Sequence, residues 1–115
     1  MEDSVKISVL LEIYGKLLTK KQYNLLNDYY NLDLSLSEIA ENEHITRQAV
    51  RDNLKKGENK LFDYEEKLGI MKATIKKQNT IENILSEITT INCNMSDKEI
   101  AQILEDVKQK LQILI

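Results

Sequence analysis

The stretch Leu36–Leu54, which reads LSEIAENEHITRQAVRDNL, predicts two short helices joined by a tight turn. Ala40 is a small residue that allows two helices to cross closely, and Ile45 and Val50 are apolar residues placed to pack around the turn. A helical hairpin of this kind is a helix-turn-helix, whose second helix enters the DNA major groove. A plain pair of packed helices with no nucleic-acid role is the alternative.

The exposed face of the second helix is predicted to carry the residues that bind nucleic acid. Arg47, Gln48 and Arg51 are expected to reach base edges. The cap residue Thr46 and the lysines Lys55 and Lys56 are expected to hold phosphates. These candidate residues are Thr46, Arg47, Gln48, Arg51, Lys55 and Lys56.

Charge is distributed unevenly along the chain. The formal net charge of −3 and the pI of about 5.2 count against indiscriminate binding to nucleic acid, which depends on neutralising many phosphates. Residues 28–43 contain five acidic side chains and no basic one, whereas residues 46–60 contain five basic and two acidic side chains. The basic patch therefore coincides with the candidate recognition helix.

Composition indicates a small all-α protein. The 115 residues are 42% hydrophobic and 30% charged, with no proline and three glycines, so little interrupts helices. The chain has no apolar run of transmembrane length and no signal peptide is visible. Cys93 is the single cysteine, which excludes an intrachain disulfide. We expect a cytoplasmic protein without membrane insertion.

Four helix starts share one pattern: an apolar residue, a Ser or Thr cap, and a second apolar residue four positions inside the helix. The cap hydroxyl accepts a backbone N–H of the first turn, and the two apolar residues pack together. The predicted caps are Thr19, Ser35, Thr46 and Ser96, and the predicted capping-box partners are Gln22, Glu38 and Glu99.

These caps divide the chain into a helix-turn-helix domain over residues 1–60 and a helical extension over residues 61–115. Within the domain, a helix over residues 20–31 is expected to bury Tyr23, Leu26 and Tyr30. A heptad seam is predicted beyond residue 60, as in a short coiled coil, and Asn79 with Glu82 is expected to begin a fresh helix.

The apolar stripes of the extension exceed what it can bury alone, so we expect a homodimer, with fold-back inside a monomer as the alternative. The predicted dimerisation residues are Leu61, Leu68, Met71, Ile75, Ile100, Leu104, Val107 and Leu111.

Two known groups of proteins share these motifs. The run over residues 17–61 resembles the helix-turn-helix of bacterial sigma factor region 4. The segments Ser35–Ala40 (SLSEIA), Arg47–Asn53 (RQAVRDN) and Asp63–Glu65 (DYE) are more similar to the YlxM family. That resemblance implies a helix-turn-helix protein acting in the signal recognition particle pathway, with components of that particle as partners.

Two positions depart from the usual helix-turn-helix pattern. Glu43 stands where an apolar residue generally packs beneath the turn. His44 stands where Gly or Asn is favoured, because the chain at this point often needs a positive φ.

Nothing in the sequence indicates an enzyme or a cofactor. His44 is the only histidine, and it has no metal-ligand spacing to Glu41, Glu43 or Cys93. No catalytic triad can be assembled around it, and the glycines form no phosphate-binding loop. We predict a DNA-binding regulatory protein. The alternative is a non-enzymatic adaptor that binds a protein or ribonucleoprotein through the same hairpin.

Overall fold

The computed structural model describes residues 2–115, which form six α-helices and no strand. A 3₁₀ turn, Gly15–Leu17, follows the first helix, and a π-helical turn, Asn27–Asn31, follows the second. The helices are α1 (Asp3–Tyr14), α2 (Lys20–Leu26), α3 (Leu36–Glu43), α4 (Arg47–Leu68), α5 (Ile70–Thr89) and α6 (Asp97–Leu114). The all-α prediction is confirmed, as is a helix-turn-helix unit followed by a long helix and a C-terminal helix.

The chain forms two compact units. The first ends at Met71 and contains α1–α4, and the second is Lys72–Ile115. The first unit thus runs past the predicted boundary at residue 60. Its core is formed by apolar side chains of all four helices. The most deeply buried are Leu10, Leu11, Tyr14, Leu25, Leu26, Ile39, Val50 and Leu61.

Helix α4 packs tightly against α2 at Gly57. A Cβ atom at Gly57 would lie 2.8 Å from Cδ1 of Leu26, whose side chain is fully buried. The absence of a side chain at Gly57 therefore allows α4 to pack closely on α2.

The predicted helix caps are present. Thr19 with Gln22 and Ser35 with Glu38 form complete capping boxes, in which each side chain bonds to the other residue's backbone N–H. The hydroxyl of Ser96 accepts a hydrogen bond from the backbone N–H of Glu99 at 3.2 Å. This is one of the two hydrogen bonds of the predicted capping box. Local hydrogen bonding therefore fixes the beginnings of these helices.

Helix α4 ends at Gly69, which has left-handed φ and ψ angles of 64° and 24°. The junction is held by side chains: Tyr14 Oη donates to Glu65 Oε1 at 2.7 Å, and the same oxygen accepts the backbone N–H of Met71 at 2.9 Å. The hydroxyl of Tyr14 also accepts the N–H of Ile70 at 3.2 Å. Burial and the bond to Glu65 raise the pKa of Tyr14, which keeps the donating proton on its hydroxyl.

The break at Gly69 interrupts the predicted heptad seam. Leu61 is fully buried in the first unit, so it belongs to the core of a single chain and not to an exposed stripe. Leu68, by contrast, is 57% exposed. The prediction that Tyr23 is buried is wrong, because its side chain is exposed. Leu26 is buried as predicted, and Tyr30 is half-buried.

In the second unit, α5 continues without interruption through Asn79, so the predicted new helix at that residue is wrong. The polar run around Asn79 is exposed, and a helix tolerates polar residues on its solvent side. Ile84 of α5 and Val107 of α6 are buried. Lys110 of α6 pairs with Glu87 of α5 and lies 3.2 Å from Asp106, and bonds to these two carboxylates raise the pKa of Lys110.

Candidate nucleic-acid interface

Helix α3 packs its inner face into the core of the first unit. The capping box at Ser35 fixes its beginning, and its Ile39 and Ala40 point into the core, with 0% and 7% of their surfaces exposed. Ala40 is thus buried, as expected for a residue at a helix crossing. The small side chain allows α3 to approach α4 closely.

The turn after α3 is a Schellman motif with a histidine at its left-handed position. His44 has φ 57° and ψ 40°, as the sequence predicted for this turn. Its N–H donates to the carbonyl of Glu41 at 3.4 Å, and the N–H of Ile45 donates to the carbonyl of Ala40 at 3.1 Å. These bonds provide partners for carbonyl groups in the last turn of α3, and they turn the chain toward the start of α4.

Thr46 is the N-cap of α4. Its hydroxyl accepts the backbone N–H of Ala49 at 3.0 Å, as predicted. Val50 and Leu54 then anchor the inner face of the helix, at 0% and 5% exposure. Because these two side chains fix the rotation of α4, they also determine which of its residues point to solvent.

All six predicted nucleic-acid-binding residues are exposed. None of the cations at 47, 51, 55 and 56 makes a salt bridge with any residue from 2 to 115. The carboxamide of Gln48, however, donates to Asp52 Oδ1 at 3.0 Å, so contact with a base would require it to leave this partner. The hydrogen bond follows from i,i+4 spacing along the helix.

Two acidic side chains, Asp28 and Glu43, interact near the C-terminal end of α3. Burial, and secondly the negative charge of Glu43, raise the pKa of Asp28. Repulsion between these carboxylates marks an acidic edge next to the basic face of α4. This surface therefore has two electrostatic sides, and an anionic ligand would be oriented toward α4.

A cleft beside the basic face was missed by sequence analysis. It has a volume of about 430 Å³, and its walls combine two tyrosines from the π-helical turn with residues of α3 and α4. The lining residues are Tyr29, Tyr30, Leu36, Arg51, Leu54, Lys55 and Glu58. The adjacent tyrosines at 29 and 30 were the only available signal, and their role depends on how the turn places them.

The geometry of α3, the turn and α4 defines a helix-turn-helix protein. Among residues 2–115 no cluster of His, Cys, Asp or Glu could hold a metal ion, and no helix is both long and apolar enough to cross a bilayer. What the arrangement offers chemically is an exposed row of hydrogen-bond donors and positive charges on a rigid helix.

Comparison with known proteins gives the family. Residues 1–107 match the family described as "Putative helix-turn-helix protein, YlxM / p13 like", and the chain belongs to this family, UPF0122. A UPF0122 protein of Clostridium kluyveri is 46% identical over 108 residues, covering 94% of each chain. One from Acetivibrio thermocellus is 38% identical over 115 residues, covering 100% of this chain and 98% of the relative.

Proposed function

We propose that the protein is a DNA-binding regulatory protein that inserts the first turns of α4 into the major groove. The observation that carries this proposal is the set of unpaired cations on the exposed face of α4, held in place by the buried residues Val50 and Leu54. A row of cations next to a packed helical hairpin suits groove binding, because the hairpin positions α4 while its outer face stays free.

Each exposed residue has a distinct role in this proposal. Arg47 and Arg51 carry planar guanidinium groups that can donate two hydrogen bonds to a guanine edge. Gln48 can bind adenine after leaving Asp52. Lys55, Lys56 and the cap residue Thr46 would contact the phosphate backbone.

The test is a selection from random duplex DNA, followed by binding titrations at several salt concentrations. Arg51→Ala is expected to weaken specific binding by about 1–3 kcal/mol and to relax the preference at one base position. Lys55→Ala is expected to weaken binding to all sequences alike, and to lower the slope of log affinity against log salt by about one unit.

A matched control is Lys21→Ala, which removes an exposed lysine from α2, outside this face. It is expected to leave specific binding unchanged. If no sequence is enriched, and residual binding is lost near physiological salt, the DNA-binding role is refuted.

We also propose that two copies pair through the second unit. Support comes from apolar residues that share a helix face and remain open to solvent: Leu104 and Leu111 of α6 are 52% and 46% exposed, and Leu85 of α5 is 57% exposed. Large apolar side chains left exposed in this number are typical of a chain that binds a partner. A dimer would present two recognition helices to two DNA half-sites.

The alternative is an adaptor that uses the same hairpin against a protein or ribonucleoprotein, for which signal recognition particle components are the candidates by resemblance. The observation that favours a protein partner is the acidic edge at Asp28 and Glu43, because carboxylates repel a phosphate backbone but can pair with cationic side chains of another protein. Binding assays of Arg51→Ala with signal recognition particle protein and RNA, purified separately, test this role. Loss of binding in the variant supports it, and no binding by the unsubstituted protein refutes it.

A further inference from the structure

The cleft between the π-helical turn and α4 has features that packing alone does not require. Tyr29 keeps 37% of its surface exposed although the ring lies against Tyr30, with centroids 5.0 Å apart and planes at 83°. Both rings stand on the π-helical turn Asn27–Asn31, a rare conformation that recurs at functional sites. The chain then passes through Asp33, whose φ is 55°.

The cleft is lined by both apolar and cationic side chains. Leu54 is buried and Leu36 half-buried, while Arg51 and Lys55 are exposed and make no salt bridge within residues 2–115. The acidic residue in the lining, Glu58, accepts a hydrogen bond from the hydroxyl of Tyr30. Tyr30 is therefore held by Glu58, and Tyr29 provides the accessible ring.

A planar ring bearing a negative charge fits this set of groups. Its face can stack on Tyr29, and its anionic group can reach Arg51 or Lys55. The cleft, with a volume of about 430 Å³, is open to solvent and offers room for one nucleotide without enclosing it. Nucleotides have both parts, but in a duplex the base faces are stacked on one another and closed to a protein side chain.

We propose that this cleft binds an unpaired nucleotide of a single-stranded nucleic acid, with the base stacked on Tyr29 and its phosphate held by Arg51 and Lys55. The site goes beyond the duplex interface of the proposed function. It shares Arg51 and Lys55 with that interface, but Tyr29 belongs to the cleft alone. The two proposals can therefore fail separately.

The experiment measures fluorescence anisotropy of labelled oligo(dT) and oligo(rU) eight nucleotides long, with the full chain. Tyr29→Leu is expected to weaken binding about tenfold or more, because base–aromatic stacking is lost. Tyr29→Phe keeps the ring and is expected to stay within about twofold. An oligonucleotide of abasic sites should bind the unsubstituted protein as weakly as the normal oligonucleotide binds Tyr29→Leu.

The matched control is Tyr23→Leu, which removes a tyrosine of similar exposure, 39%, from a different cleft that contains Lys16, Lys20 and Glu12. It is expected to leave single-strand binding unchanged. Equal losses in the two leucine variants, or no single-strand binding by the unsubstituted protein, overturn the proposal.

Gln48→Ala separates this inference from the proposed function. It is expected to weaken specific duplex binding without changing single-strand binding, because Gln48 does not line the cleft. Comparing oligo(dT) with oligo(rU) then shows which sugar the site prefers, and either preference supports the proposal when binding depends on Tyr29.

Discussion

Replacing His44 by glycine is expected to stabilise the first unit. His44 has φ 57° and ψ 40°, in the left-handed region, where a residue with a Cβ atom is disfavoured by about 1–2 kcal/mol. Glycine adopts these angles freely but adds unfolded-state entropy that costs about 0.5–1 kcal/mol. The net expectation is about 0.5–1 kcal/mol of added stability.

Chemical denaturation followed by circular dichroism measures this change as a higher midpoint at an unchanged slope. His44→Ala is the matched control. It removes the imidazole but keeps the Cβ atom, so it is expected not to stabilise. If His44→Gly has the lower midpoint, the imidazole contributes contacts worth more than the backbone strain, and the reasoning from φ is refuted.

Three further expectations follow from packing, charge and exposure. Gly57→Ala should lower the free energy of unfolding by about 1 kcal/mol in urea titrations, because overpacking against Leu26 exceeds the gain in helix propensity; a gain in stability would contradict this. Asp28→Asn should be more stabilising at pH 7 than at pH 3, because the raised pKa of Asp28 means that the fold disfavours its ionised form. At pH 3 the carboxyl is largely protonated in the folded and the unfolded protein, so an equal effect at both pH values would count against this expectation. Light scattering at micromolar concentration should give about twice the chain mass of 13.4 kDa, and Leu104→Glu should give a monomer that remains helical; a monomer mass for the unsubstituted chain across the concentration range rules out pairing.

Helix starts were predictable from sequence because their determinants are local. The caps at Thr19, Ser35 and Thr46 each act within three residues, so a short sequence window contains both partners. The left-handed turn at His44 was predictable for the same reason. Exposure of the basic face followed from helical periodicity once Val50 was assigned to the core.

Features that depend on tertiary contacts were not predictable in this way. Leu61 fits a heptad seam by spacing, but the fold buries it in the first unit. Gly69, by contrast, is a local signal, because glycine commonly follows the last residue of a helix in the left-handed conformation; the heptad spacing across it obscured that signal. The Tyr29 cleft required knowledge of the π-helical turn, which no residue pattern in this segment specifies.

The side chains around Gly69 have a consequence for hydrogen exchange. Amides in the first turn of a helix ordinarily lack intrahelical acceptors and exchange readily with solvent. At the beginning of α5, however, the amide of Ile70 is bonded to Tyr14 and that of Met71 to Glu65. Both amides should therefore exchange slowly. The amide of Ile70 should report the separation of Tyr14 on α1 from the start of α5, whereas that of Met71 should report the loss of its bond to Glu65.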